Sequence, residues 1–351
     1  MNPNIYDILI GNIVSFGLFI AYYFLFHFLI QEGKKSKIAR YASSFLYWIT
    51  FAIYFCCLLL GFAIHLVAFL LSISDLTMIA ELIGIKPNQV HVSSLHLIAL
   101  FTWLSALLGM LFFIPLFRRF IARLIPIDPK NRIHTVSLAI AVLIPFQLII
   151  TYLIGLSSLN EGTGSASLAE TLVSIWSQDI LFFIFGMIGV GWLTSRNSKE
   201  TFQRLGITRI SLKHVFLAMG IAVLFVVLGQ LVDLFSTHFQ VGVDPEVESY
   251  TDKLIGPLFS SWFGIFTLGV AAALGEETIF RGALTPRFGI ILSSLLFAAV
   301  HANYGFSLSS LIVLILGIAL GWLRMRYSTT FTMVVHATYN IILGILAFNH
   351  S

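Results

Sequence analysis

Three short runs in the last quarter of the chain carry the groups that could do chemistry. Glu276-Glu277 is followed by Arg281, Phe297 by His301, and His336 by Asn340. In each run the key residues are spaced i,i+4, which puts them on one face of a helix. Glu277 and Arg281 can therefore pair within one helix, which lowers the cost of both charges in an apolar setting. Glu276 lies about 100° further round. Phe280 fills its i+4 place, so Glu276 is the freer carboxylate and Glu277 the structural one.

One carboxylate, two histidines and an amide suit the hydrolysis of a peptide bond. A carboxylate beside a histidine can hold a water and take its proton. A second histidine and an asparagine amide can donate to the oxyanion that forms. On this reading Glu276 and His301 activate water, and His336 and Asn340 stabilise the oxyanion. The same atoms support an alternative. Glu276, His301 and His336 could be three ligands of a catalytic zinc, with a fourth position for water. Spacing does not decide between them, so the cofactor is open. The bland alternative is that these groups only hydrogen-bond helices together.

The elements that would position them are membrane helices. Hydrophobic residues make up 58% of the 351, charged residues 10%, and the mean hydropathy is +0.95. A soluble domain is about 25% charged. The net charge of +4 does not indicate nucleic-acid binding, because the basic residues sit in short loops. Cys56 and Cys57 are adjacent in an apolar run and give neither a disulfide framework nor a metal spacing. They read as small core residues.

A span takes roughly 20 apolar residues. That rule gives an all-α, polytopic bundle of about ten spans, near 5–30, 43–72, 96–117, 135–156, 174–195, 215–236, 257–281, 288–304, 308–323 and 330–348. Pro115 and Pro145 are expected to kink helices. His27 and His65 are expected to be packing residues, and Gln147, Gln230 and Asp233 buried polar groups. The stretch Thr201 to Lys213 reads as a basic amphipathic segment on the membrane surface.

Residues 32–40, 118–132 and 196–214 hold 14 of the 20 Lys and Arg residues. Arg287, Arg324 and Arg326 continue the pattern. The loops between are acidic or near neutral, with Asp75, Glu81 and Lys86, then Glu161, Glu170 and Asp179, then Asp244, Glu246, Glu248, Asp252 and Lys253. This alternation assigns the basic loops to the cytoplasm. The expectation is a multi-pass protein of a bacterial plasma membrane, with the lipid bilayer and a membrane-associated peptide or protein substrate as partners. The oligomeric state is open.

The three runs resemble, in order and spacing, the motifs of the CPBP family (CAAX protease and bacteriocin-processing, also Abi), to which type II CAAX prenyl endopeptidases belong. The motif core is 257–347. The resemblance implies an all-helical intramembrane endopeptidase. It assigns Glu276 and His301 to water activation and His336 and Asn340 to the oxyanion pocket. Glu277 and Arg281, with Phe297 beside them, would support the site. The family is labelled metalloprotease, although a metal-free glutamate mechanism has been argued for it. Some members serve in bacteriocin immunity or as partners of other membrane enzymes, so a non-catalytic scaffold or immunity protein is the second reading. A transporter is the third; the internal symmetry such folds show is not evident here. The chain divides into residues 1–200, helical and of unassigned role, and a catalytic region at 201–351. A rise of 1.5 Å per residue leaves Glu276 and His301 toward opposite ends of their spans. For the two to meet, the second span must tilt or the first helix must run past Arg281.

Overall fold

The computed structural model describes residues 3–73, 92–154, 166–239, 245–301, 304 and 307–349. It is helical throughout, with no strand among the described residues. The helices are α1 (Pro3–Glu32), α2 (Lys37–Ile73), α3 (Val92–Leu111), α4 (Pro115–Ile121), α5 (Arg132–Ala141), α6 (Leu143–Ile154), α7 (Leu168–Gly189), α8 (Ser198–Leu205), α9 (Leu212–Phe239) and α10 (Pro245–Ile255). After a 3-10 turn, Gly256–Ser260, come α11 (Trp262–Glu276), a π-helix (Glu277–Leu284), α12 (Thr285–Val300), α13 (Leu308–Arg326) and α14 (Thr329–Phe348). The loop acids Asp75, Glu81, Glu161 and Asp244, with Lys86, lie outside the described residues.

Nine helical stretches among the described residues are long and apolar enough to cross a membrane. They agree with the expected polytopic bundle, with one change. The spans expected at 257–281 and 288–304 form one continuous stretch, Trp262–Val300. It is also the most enclosed: 39% of its most apolar window is buried, against 17–28% in the others. Straight, its 39 residues would reach about 58 Å, nearly twice the roughly 30 Å hydrocarbon core. It is not straight. The π-helix widens the turn, and Gly289, at φ 77° and ψ 171°, breaks α12. Positive φ is open to glycine at little steric cost. Beyond that break α12 packs antiparallel to α13, with Phe297 facing Gly317 and Ile290 facing Gly321.

Small residues let the central helices approach closely. A Cβ on Gly269 would press on the Ala337 carbonyl and the Ile341 side chain of α14. α11 packs on α14 and on α7, α7 packs on α1, and α9 packs on α14. Large apolar side chains on the outer faces of α1, α2 and α9 are exposed, such as Leu18, Trp48, Phe62 and Leu234, as a lipid-facing surface requires.

Several local expectations change. Pro115 starts α4 at its first position, where its missing N–H costs nothing. The expected kink of Pro145 is present: the helix across 135–156 is interrupted at Val142, because Pro145 cannot donate to the carbonyl four residues earlier, while Arg132–Ile149 remains one candidate span. The amphipathic segment ends at Gly206, the left-handed C-cap of α8, well before Lys213. Gln147, Gln230, Asp233 and Cys56 are exposed on outer faces rather than buried. His27 is buried and bonds the Gly189 carbonyl at 3.2 Å. Glu170 and Asp179 are not loop residues. Both are buried in α7, where Glu170 closes a capping box with Ser167.

Candidate active site

Four segments build the site. α11 is capped by Ser261, whose side chain accepts from the Gly264 N–H, and ends at Glu276. The π-helix carries Glu277 and Arg281. α12 ends at Val300, with His301 as its C-cap. α14 carries His336 and Asn340. A straight helix would hold Glu276 and His301 about 37 Å apart. The fold-back brings His301 Nε2 to 4.0 Å from Glu276 Oε1. The first helix does run past Arg281, to Leu284, and the break at Gly289 completes the return.

Glu277 is fully buried and Arg281 nearly so. Arg281 Nη1 lies 3.1 Å from Glu277 Oε1. The guanidinium carbon sits 3.9 Å over the Phe297 ring, a cation–π contact. Phe297 also meets the rings of Phe280, His301 and His336 edge-on. It is thus the packing centre that joins the π-helix, α12 and α14.

Both histidines are anchored at Nδ1. His301 Nδ1 lies 2.8 Å from the Phe297 carbonyl, which can only accept, so Nδ1 carries the proton. His336 Nδ1 lies 3.0 Å from Glu277 Oε1, and a carboxylate again accepts. Both Nε2 atoms then turn to Glu276: His301 Nε2 to Oε1 at 4.0 Å, and His336 Nε2 to Oε2 at 3.9 Å. Glu276 keeps some exposure, and His301 rather more. Tyr304 stacks on the His301 ring at 5.9 Å. Asn340 is the outlier. Its Nδ2 donates to the Leu268 carbonyl at 3.4 Å rather than to a group of the cluster.

Asp179 was missed as a site neighbour. It is buried in α7 against Gly275, the residue before Glu276, and its Oδ1 has no hydrogen-bond partner. A Cβ on Gly275 would collide with that oxygen. The signal was available: a carboxylate inside an apolar span, the same cue that singled out Glu276.

Residues 258–342 match the family model described as type II CAAX prenyl endopeptidase Rce1-like. The match supports the CAAX protease family for this C-terminal region. The match to this CAAX protease region takes in all the motif residues above and supports an intramembrane, CAAX-protease type of function. No curated protein and no solved structure matches the chain.

The metal reading of the CAAX protease region fits less well. Among the described residues no three His, Cys, Asp or Glu side chains converge to hold an ion. Tetrahedral ligands about 2.1 Å from zinc stand about 3.4 Å apart, closer than the 3.9 and 4.0 Å between Glu276 and the two imidazoles.

Proposed function

We propose that the chain is an intramembrane endopeptidase that hydrolyses peptide bonds of membrane-associated substrates. One observation carries this reading: both imidazole Nε2 atoms face the two oxygens of Glu276, while each Nδ1–H is tied elsewhere. Neutral Nε2 and carboxylate oxygen are both acceptors. Facing acceptors about 4 Å apart call for a donor between them, and one water about 2.8 Å from each matches that span.

In the proposed reaction, Glu276 takes a proton from water held between it and His301. The water oxygen attacks the scissile carbonyl, whose oxygen becomes an oxyanion. His336 and Asn340 lie on the α14 side to meet that charge. The Asn340 amide has two N–H donors, and one remains beyond the bond to Leu268. His336 can donate from Nε2 only once it holds a proton there. Its ring is fixed for that by Glu277, which Arg281 holds in turn. Collapse of the intermediate breaks the C–N bond, and the proton on Glu276 passes to the leaving amine. The products are a carboxylic acid and an amine.

The proposal extends to setting. The basic loops lie on the cytoplasmic side of a bacterial plasma membrane, residues 201–351 form the catalytic region, and residues 1–200 support it. The test compares membrane peptides from cells carrying wild type and Glu276→Gln. Fragments present in wild type should disappear in the variant. Cleavage that survives both Glu276→Gln and His301→Ala would leave a scaffold or immunity role as the better reading.

A further inference from the structure

Four arginines converge at one end of the bundle, where α8, the π-helix and α13 meet. Arg204 Nη1 donates to the Gly282 carbonyl at 3.1 Å, and Nη2 to that of Ala283 at 3.4 Å. Arg324 Nη2 donates to the Leu205 carbonyl at 3.2 Å, and its Nε is buried without a partner. Arg196 donates to the Val190 carbonyl. Arg287 is exposed. Burial, and then the guanidiniums of Arg287, Arg196 and Arg324, pull Arg204 down to about 10, so it stays charged at neutral pH.

Among the described residues no carboxylate reaches salt-bridge distance of any of the four. Glu200, one turn before Arg204, is committed to the Asn197 N–H in a capping box. Asp128 accepts from the Lys130 N–H and acts on His134 rather than on Arg204. Arg118 differs: its Nε donates to the Pro129 carbonyl, and its Nη1 to Tyr47 and the carbonyls of Phe112 and Phe113.

Like charges left facing one another are unfavourable where water is scarce. A compact anion with several oxygens relieves them, and the guanidinium fork matches phosphate. The surroundings indicate what carries it. A shallow hollow of about 510 Å³ runs along Trp192 to Ser198 and includes Arg196. Beside it Leu193 is 63% exposed, held outward by a left-handed φ of 63°. An outward leucine beside a tryptophan and arginines with no carboxylate partner among the described residues is the composition of a surface at headgroup depth.

We propose that Arg196, Arg204, Arg287 and Arg324 form a binding site for the phosphate group of an anionic membrane lipid. The site is independent of peptide hydrolysis and is tested without it. Full-length protein in a neutral detergent is supplied with phosphatidylglycerol, phosphatidylcholine or inorganic phosphate, and retained lipid is counted by native mass spectrometry. Wild type should hold one phosphatidylglycerol in preference to phosphatidylcholine. Arg287→Gln should lower its occupancy about fivefold without changing the melting temperature in lipid-free detergent, since Arg287 is exposed and makes no hydrogen bond among the described residues. Arg204→Gln with Arg287→Gln should lower it further, and Arg119→Gln with Arg123→Gln should leave it unchanged. Equal loss in that control pair, or no retained lipid in wild type, overturns the proposal. Displacement of the lipid by millimolar inorganic phosphate would also overturn it, by making free phosphate the ligand.

Discussion

Glu276 and Arg281 are five residues apart and should fail in different ways. Glu276 touches no cation directly, and its oxygens face two imidazoles. Glu276→Gln should lower cleavage by a factor of about 10² to 10⁴ and leave the melting temperature close to wild type. Arg281 is buried on the Phe297 face with Glu277 as its partner. Arg281→Ala leaves that carboxylate buried and uncompensated, a loss of about 3–5 kcal/mol that should appear as a lower melting temperature. The i,i+4 spacing was enough to pair Glu277 with Arg281, because it depends only on helix geometry. What spacing did not give is that Glu277 also holds His336, a contact between residues far apart in sequence. Nor did it give Asn340, whose bond goes to Leu268 on α11. A helix wheel sorts residues on one helix and says nothing about the neighbour each face meets.

At the scale of elements, the return of the chain between Glu276 and His301 depends on the Gly289 break. A Cβ there would touch nothing closer than 3.9 Å, so crowding is absent and only the backbone conformation matters. Gly289→Ala should cost about 1–3 kcal/mol and loosen the approach of His301 to Glu276, lowering kcat as well as the melting temperature. Gly275→Ala acts by contact instead. Its Cβ would meet the Asp179 backbone at 2.7 Å, so α7 must move off α11. Gly220→Ala, where nothing lies within 4 Å, should leave melting temperature and activity unchanged or slightly raised. The three variants measured by thermal unfolding separate strain, crowding and open space. The apolar run from Trp262 was legible as membrane helix from hydropathy. Its π-helix was not: no residue type in Glu277–Leu284 marks one, and the segment packs against α7 and α12, beyond the reach of a helix wheel. The fold-back was legible only as a requirement: two motif residues at opposite ends of their spans had to meet.

For the whole molecule, the division at residue 200 runs through a packed interface. α7 lies before it, yet forms one wall of the site region. Its Trp176 Nε1 donates to Thr267 Oγ1 at 3.2 Å, Asp179 lies on Gly275, and Gly186 packs on Thr278. α7 is held in turn by α1, through Asn12 to Ser177 Oγ at 2.7 Å and to the Ser174 carbonyl at 3.1 Å. Composition showed no such dependence, because α1 and α7 read as ordinary apolar spans. Residues 201–351 expressed alone would keep every motif residue but leave the α7-facing side of α11 and the π-helix without its partner. That side was built for close approach to protein, with Gly275 and the buried Thr267 and Thr278, and lipid chains do not reproduce its hydrogen bond to Trp176. The expectation is a fragment that is monodisperse in detergent only when 1–200 is co-expressed with it, and cleavage that is restored only by the pair. Gel filtration of 201–351 with and without 1–200 measures this. A fragment that is monodisperse alone, with the melting temperature of the full chain, would show that residues 1–200 serve something other than the site.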